Sequence, residues 1–188
     1  MDLTNIKTDT KQSNDSLKLK TRDITIIAMM IAIIEACKIV LAGIPNVELT
    51  TFWMILFTLY FRKRIIFVIP SFILIEGAMY GFGLWWIMYL YSWPLLALIA
   101  WKLRKMDSAI SWGILSGIFG LLYGALCSIP YFIIGTIGEG VQSGLASAFT
   151  WWIAGIPFDL IHGIANFVIM LVLYHPVNKV LAKFQSIF

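Results

Sequence analysis

Charge is scarce in this chain. Lysine, arginine, aspartate and glutamate make up 13% of its 188 residues, against 60% hydrophobic ones, where soluble domains carry about 25% charged side chains. A mean hydropathy of +0.87 goes with that shortage. It excludes a water-soluble globular domain and leaves an integral membrane protein, whose elements obey bilayer rules. Cysteine and histidine are scarcer still, with two of each. Cys37 and Cys127 both fall inside apolar runs, which argues against a disulfide framework or a clustered metal site and for small packing residues. No HExxH, paired-histidine, GxSxG or Walker A pattern occurs, so no catalytic residues, metal site, cofactor or nucleotide-binding site is expected. Energy for any active transport then has to come from another chain. A net charge of +4 would point a soluble protein toward anionic partners. Here it records topology, and no nucleic-acid partner is expected.

What the chain has instead is apolar runs. Residues 1–23 are polar, lack the apolar core of a signal peptide and read as a flexible cytoplasmic tail. Residues 24–188 read as one membrane domain. Its runs are 24–41, 52–61, 65–82, 85–101, 109–134 and 149–174, where a spanning helix needs about 20 residues. The second is short and is expected to be tilted or to begin near Val47. Residues 135–148, with four glycines, read as a loop. The expected fold is all-α, with six transmembrane helices and both termini on one side. Thirteen of the fourteen basic residues fall in the tail, after the second run (Arg62, Lys63, Arg64), after the fourth (Lys102, Arg104, Lys105) and after the sixth (Lys179, Lys183). Only Lys38 is left over. The positive-inside rule therefore puts both termini in the cytoplasm.

That orientation makes the remaining polar residues informative, because ionisable groups within spans face a bundle interior, a cavity or one another. At about 1.5 Å per residue, Lys38, Glu76, Asp159 and His162 all fall at or above mid-membrane, in the outer half. Asp159, His162 and Asn166 share one helical face, read either as a structural network joining helices or as the floor of a cavity. The outer side also receives the turn at Asn46–Glu48 and a dense aromatic segment with Tyr80, Trp85, Trp86, Tyr89, Tyr91 and Trp93. In the first helix, Ala28, Ala32 and Ala36 form a row at four-residue spacing, suited to close helix approach. Glu35 stands almost on that face.

Together these residues resemble the substrate-binding S component of an energy-coupling factor (ECF) vitamin transporter, over residues 24 to the end. The resemblance rests on six runs in a short chain, the AxxxA row, the turn Ile44-Pro45-Asn46-Val47-Glu48-Leu49, the segment EGAMYGFGLWW (76–86) and the stretch GIPFDLIHGIANF (155–167). It implies a multi-pass protein of a prokaryotic plasma membrane that captures a vitamin from outside. It also implies partners: a membrane coupling protein and two cytoplasmic ATPase subunits. The chain itself is then not an enzyme. Ala28, Ala32 and Ala36 would face the coupling protein. The pocket residues expected are Lys38, Asn46 and Glu48; Glu76, Tyr80, Trp85, Trp86 and Tyr89; and Trp151, Asp159 and His162. The subgroup looks most like those assigned to cobalamin or its precursors, with pantothenate or another small vitamin as the alternative. A stand-alone channel or carrier and an intramembrane enzyme are the rival classes.

Overall fold

The computed structural model describes residues 19–61 and 63–187, with side chains as far as Phe184. The expected tail lies outside the described residues up to position 18. The described residues form eight helices and no strand. They are α1 (Thr21–Leu41), α2 (Thr50–Phe61), α3 (Ile65–Tyr80), α4 (Leu84–Lys102), α5 (Ala109–Leu121), α6 (Tyr123–Cys127), α7 (Ile129–Glu139) and α8 (Val141–Ile187).

By length and composition α1, α4 and α8 are each apolar enough to cross a membrane, and α5 with α6–α7 makes a fourth candidate bent by 41°. The second and third runs become the short helices α2 and α3. At 12 residues, α2 is about 18 Å long, well under the thickness of an apolar layer. It is instead the middle of the bundle: Phe52, Met54, Ile55, Leu56, Phe57 and Phe61 are all buried, with Thr50, Thr51 and Thr58 among them. A helix apolar all round is one that others surround, and α1, α3, α4 and α8 pack against it.

The fifth run breaks earlier than its proline suggests. The chain bends at Leu122 and the helix is interrupted again at Ser128, ahead of Pro130, which sits in the first turn of α7. Pro70, Pro94, Pro157 and Pro176 lie inside continuous helices.

The glycine-rich segment 135–148 is not a loop. Helix α7 runs to Glu139, and Gly140 alone (φ 91°) turns the chain into α8. Gly135 and Gly144 then face one another: a methyl group on Gly135 would lie 2.9 Å from the Gly144 Cα. Further from the Gly140 turn, a methyl on Gly120 would lie 2.8 Å from the Gly163 Cα, and one on Gly117 would lie 3.3 Å from the Gly163 carbonyl oxygen. In lipid such glycines serve contact rather than turning, because backbones that approach closely gain packing that side chains would forbid.

Two polar ties gather one end of the bundle. Arg64, between α2 and α3, donates from Nη2 to Asp23 Oδ1 on the first turn of α1 at 2.7 Å. The Tyr60 hydroxyl bonds Asn178 near the basic end of α8. The beginning of α1, the α2–α3 turn and the end of α8 therefore lie together. The end of α1, the end of α3 and the beginning of α4 gather at the opposite end.

Candidate functional site

That opposite end holds a cavity of about 490 Å³. Its chemistry begins with Lys38 in the last turn of α1, whose ammonium lies 2.5 Å from Glu76 Oε2 on α3. The same ammonium sits 5.3 Å from the ring centres of both Phe72 and Tyr89 and 3.4 Å from the Tyr89 hydroxyl. An ion pair flanked by two aromatic faces is how a bundle holds a lysine where lipid would not. Glu76 is 2% exposed and is backed by the buried Glu35 carboxyl of α1, with which it shares a hydrogen bond.

The turn between α1 and α2 forms one wall, through Ile44, Pro45, Asn46, Val47 and Glu48. Asn46 takes a positive φ of 59°, a conformation that asparagine tolerates better than most residues. This directs Glu48 back against α8. Its Oε1 lies 3.4 Å from His162 Nε2, and its Oε2 accepts a bond from the Thr50 hydroxyl at 3.1 Å. Burial pushes the Glu48 carboxyl up, but the His162 imidazole, Lys38 and the Thr50 hydroxyl outweigh it and hold the group below its ordinary value. His162 is itself buried and stands edge-on to Tyr123, with ring centres 5.2 Å apart.

The aromatic wall comes from α3 and α4. Trp85 and Tyr89 meet at 83° with ring centres 5.3 Å apart, a right-angled corner on the cavity, and Tyr80 stands exposed at the rim. Of the expected pocket residues, Lys38, Asn46, Glu48, Glu76, Tyr80, Trp85, Tyr89 and His162 thus line one cavity.

Three do not. Trp86 turns away, donating its indole N–H to the Ile73 carbonyl at 2.7 Å and packing edge-on against Phe82 over Gly77. Trp151 is stacked on Tyr131, with ring centres 4.1 Å apart, in a separate shallow groove between α7 and α8. Asp159 accepts a bond from the Gly124 amide at 3.0 Å. That amide is left outside the helix ladder by the bend at Leu122, so the carboxylate completes a broken helix. Asn166 ties α8 to α2 through Thr51 Oγ1 at 3.3 Å. The shared polar face of α8 is therefore divided: Asp159 and Asn166 bond protein, and His162 faces the cavity.

Tyr123 also lines the cavity, and sequence reasoning missed it. Its one signal is the Tyr-Gly pair at the bend, where a helix that breaks exposes a side chain a straight helix would turn elsewhere. Among the described residues, no group of three His, Cys, Asp or Glu side chains is arranged to hold a metal ion.

The alanine row lies on the outside of the same first helix. Ala28, Ala32 and Ala36 are all exposed, while Ile26, Ile27, Met30, Ile31 and Ile34 face the core. Glu35 does not interrupt that outer face, because both of its carboxylate oxygens are buried. Compared with protein-family models, curated proteins and solved structures, the chain matches none.

Proposed function

We propose that the chain is the substrate-binding S component of an ECF-type vitamin importer in a prokaryotic plasma membrane. It captures a vitamin at the outer face and passes it inward with a coupling protein and two ATPase subunits. In this reading α1, α4, α8 and the bent α5–α7 span fully. The shorter α2 and α3 complete six crossings inside their shelter, with both termini cytoplasmic as the basic residues require.

One observation carries the reading: helix α1 presents an exposed row of small side chains on its outer face and walls a polar, aromatic cavity with its far end. A flat small-residue face admits a partner helix at close range, and the cavity is of the size that holds a compact ligand. Its volume of about 490 Å³ takes in a small vitamin whole, whereas a corrinoid macrocycle would project beyond its open mouth.

The test is to replace Ala28 and Ala32 by leucine or tryptophan. Vitamin binding by the purified chain should stay at the wild-type level, while ATP-driven uptake into vesicles reconstituted with an ECF module should stop. Joint loss of binding and uptake, or uptake at the wild-type rate, would sink the assignment of this face.

A further inference from the structure

We propose that the cavity takes a flat heteroaromatic ligand, neutral or cationic, that presents N–H groups to carboxylates, and that it turns away ligands bearing a carboxylate of their own. The inference rests on reading the cavity as a vitamin site, and it names the class of vitamin.

The first argument is Glu76. It is 2% exposed and on the cavity wall, paired with Lys38 and backed by the Glu35 carboxyl. An N–H brought against a buried carboxylate forms a charge-assisted bond. The second is the charge balance of the wall. Besides His162, its charge-bearing side chains are Lys38, Glu48 and Glu76, one basic against two acidic. Glu35 stands behind this wall, buried and hydrogen-bonded to Glu76. The one ammonium is committed to Glu76 and to the faces of Phe72 and Tyr89. An incoming carboxylate would meet two glutamates and an ammonium already held by one of them, so its desolvation would be poorly compensated.

The third argument is shape. Trp85 and Tyr89 form a corner at 83°, which offers one aromatic face for stacking and a second ring to meet the edge of a planar ligand. Electron-rich faces also favour a cationic ring over a neutral one. Glu76 lines the same cavity as this corner, so a ring bound there has an acceptor for an amino group or ring N–H.

The experiment uses the full chain, purified in detergent, and a thermal-shift panel followed by titration calorimetry on whichever compound stabilises it. The panel contains thiamine and pyridoxamine as cationic or amine-bearing probes and riboflavin as a neutral one. Pantothenate, biotin and nicotinate are the carboxylates, and cobalamin tests size. The expected result is stabilisation by a compound without a carboxylate, and binding weakened by about tenfold or more in Glu76→Gln. Glu48→Gln, on the turn rather than in the bundle, repeats the test if Glu76→Gln does not fold, and should also weaken binding.

Tightest binding by a carboxylate-bearing compound overturns the ligand class and leaves the vitamin-capture reading standing. Tightest binding by cobalamin overturns the compact ligand, as does unchanged affinity in both variants for the acceptor role of these carboxylates. A compound that binds as expected but is not taken up with an ECF module overturns the import reading alone. Stabilisation by none of them overturns both.

Discussion

A methionine in place of Lys38 would strand the Glu76 carboxylate in a site where it is 2% exposed. Removing one partner of a buried ion pair costs about 3–5 kcal/mol. Lys38 keeps 16% of its side-chain exposure and the pair borders a cavity, so water compensates in part and the lower end, about 3 kcal/mol, applies. For a chain of 188 residues that loss lowers the melting temperature by about 6–12 °C. The cation–aromatic contacts with Phe72 and Tyr89 vanish in the same variant, but methionine keeps most of the packing of the lysine stem. The second variant is Lys38→Met/Glu76→Leu, which replaces both charges by apolar groups of similar volume. Such replacements of whole buried pairs are often neutral or stabilising, so the double variant should recover most of the loss. Glu35 interacts with both Lys38 and Glu76, and loses its Glu76 partner in the double variant, which keeps the recovery short of complete. The assay is thermal unfolding in detergent followed by tryptophan fluorescence, checked against unfolding in SDS. Two results would refute the reasoning: a Lys38→Met loss below about 1 kcal/mol, or a double variant no more stable than the single.

Other outcomes follow from the helix contacts and from Glu48. Gly120→Ala sets a methyl 2.8 Å from the Gly163 Cα; it should force α5 from α8 and cost about 1–3 kcal/mol, measured by the same unfolding assay, whereas Gly43→Ala, where a methyl meets nothing within 4 Å, should not. Glu48 is held below its ordinary value in the folded chain, so it binds its proton more readily when unfolded. Its contribution is therefore fully present above about pH 4.3 and is lost as the pH falls through the folded value. Glu48→Gln should remove that part of the acid limb, seen as a smaller fall in melting temperature between pH 6 and pH 3 than in the wild type. A larger fall in the variant would reverse the assigned sign.

How much of this was legible in the sequence depends on which physical rule a residue obeys. The apolar runs were plain, because lipid demands long uncharged stretches and each run became helical. Lys38 and Glu76 were legible as opposite charges at one depth, able to pair across helices because neither is tolerable alone there. The glycines of 135–148 were not. In water a cluster of glycines marks a turn, whereas between membrane helices it marks close contact, and one sequence does not say which solvent surrounds it. Only Gly140, with its positive φ, behaves as the loop reading supposed. The aromatics mislead for another reason. Trp85 and Trp86 are neighbours in sequence but about 100° apart around a helix, so one faces the cavity and the other packs over Gly77. Trp151 was assigned by composition, and its stacking with Tyr131 in another groove depends on how α7 folds back.

The bend at Leu122 has a consequence for how the molecule is put together. A membrane segment normally satisfies its own backbone before it meets any neighbour, since an unpaired amide or carbonyl costs several kcal/mol in hydrocarbon. The stretch around α6 relies on others. The Gly124 amide is received by Asp159 of α8, and the Leu126 carbonyl accepts the Tyr91 hydroxyl of α4 at 2.7 Å. One of these helpers precedes the stretch in the chain and the other follows it. The fifth segment therefore becomes a complete membrane element only once α8 has arrived beside it. The helical hairpin at Gly140 is therefore expected to be stable in lipid as a unit rather than one leg at a time.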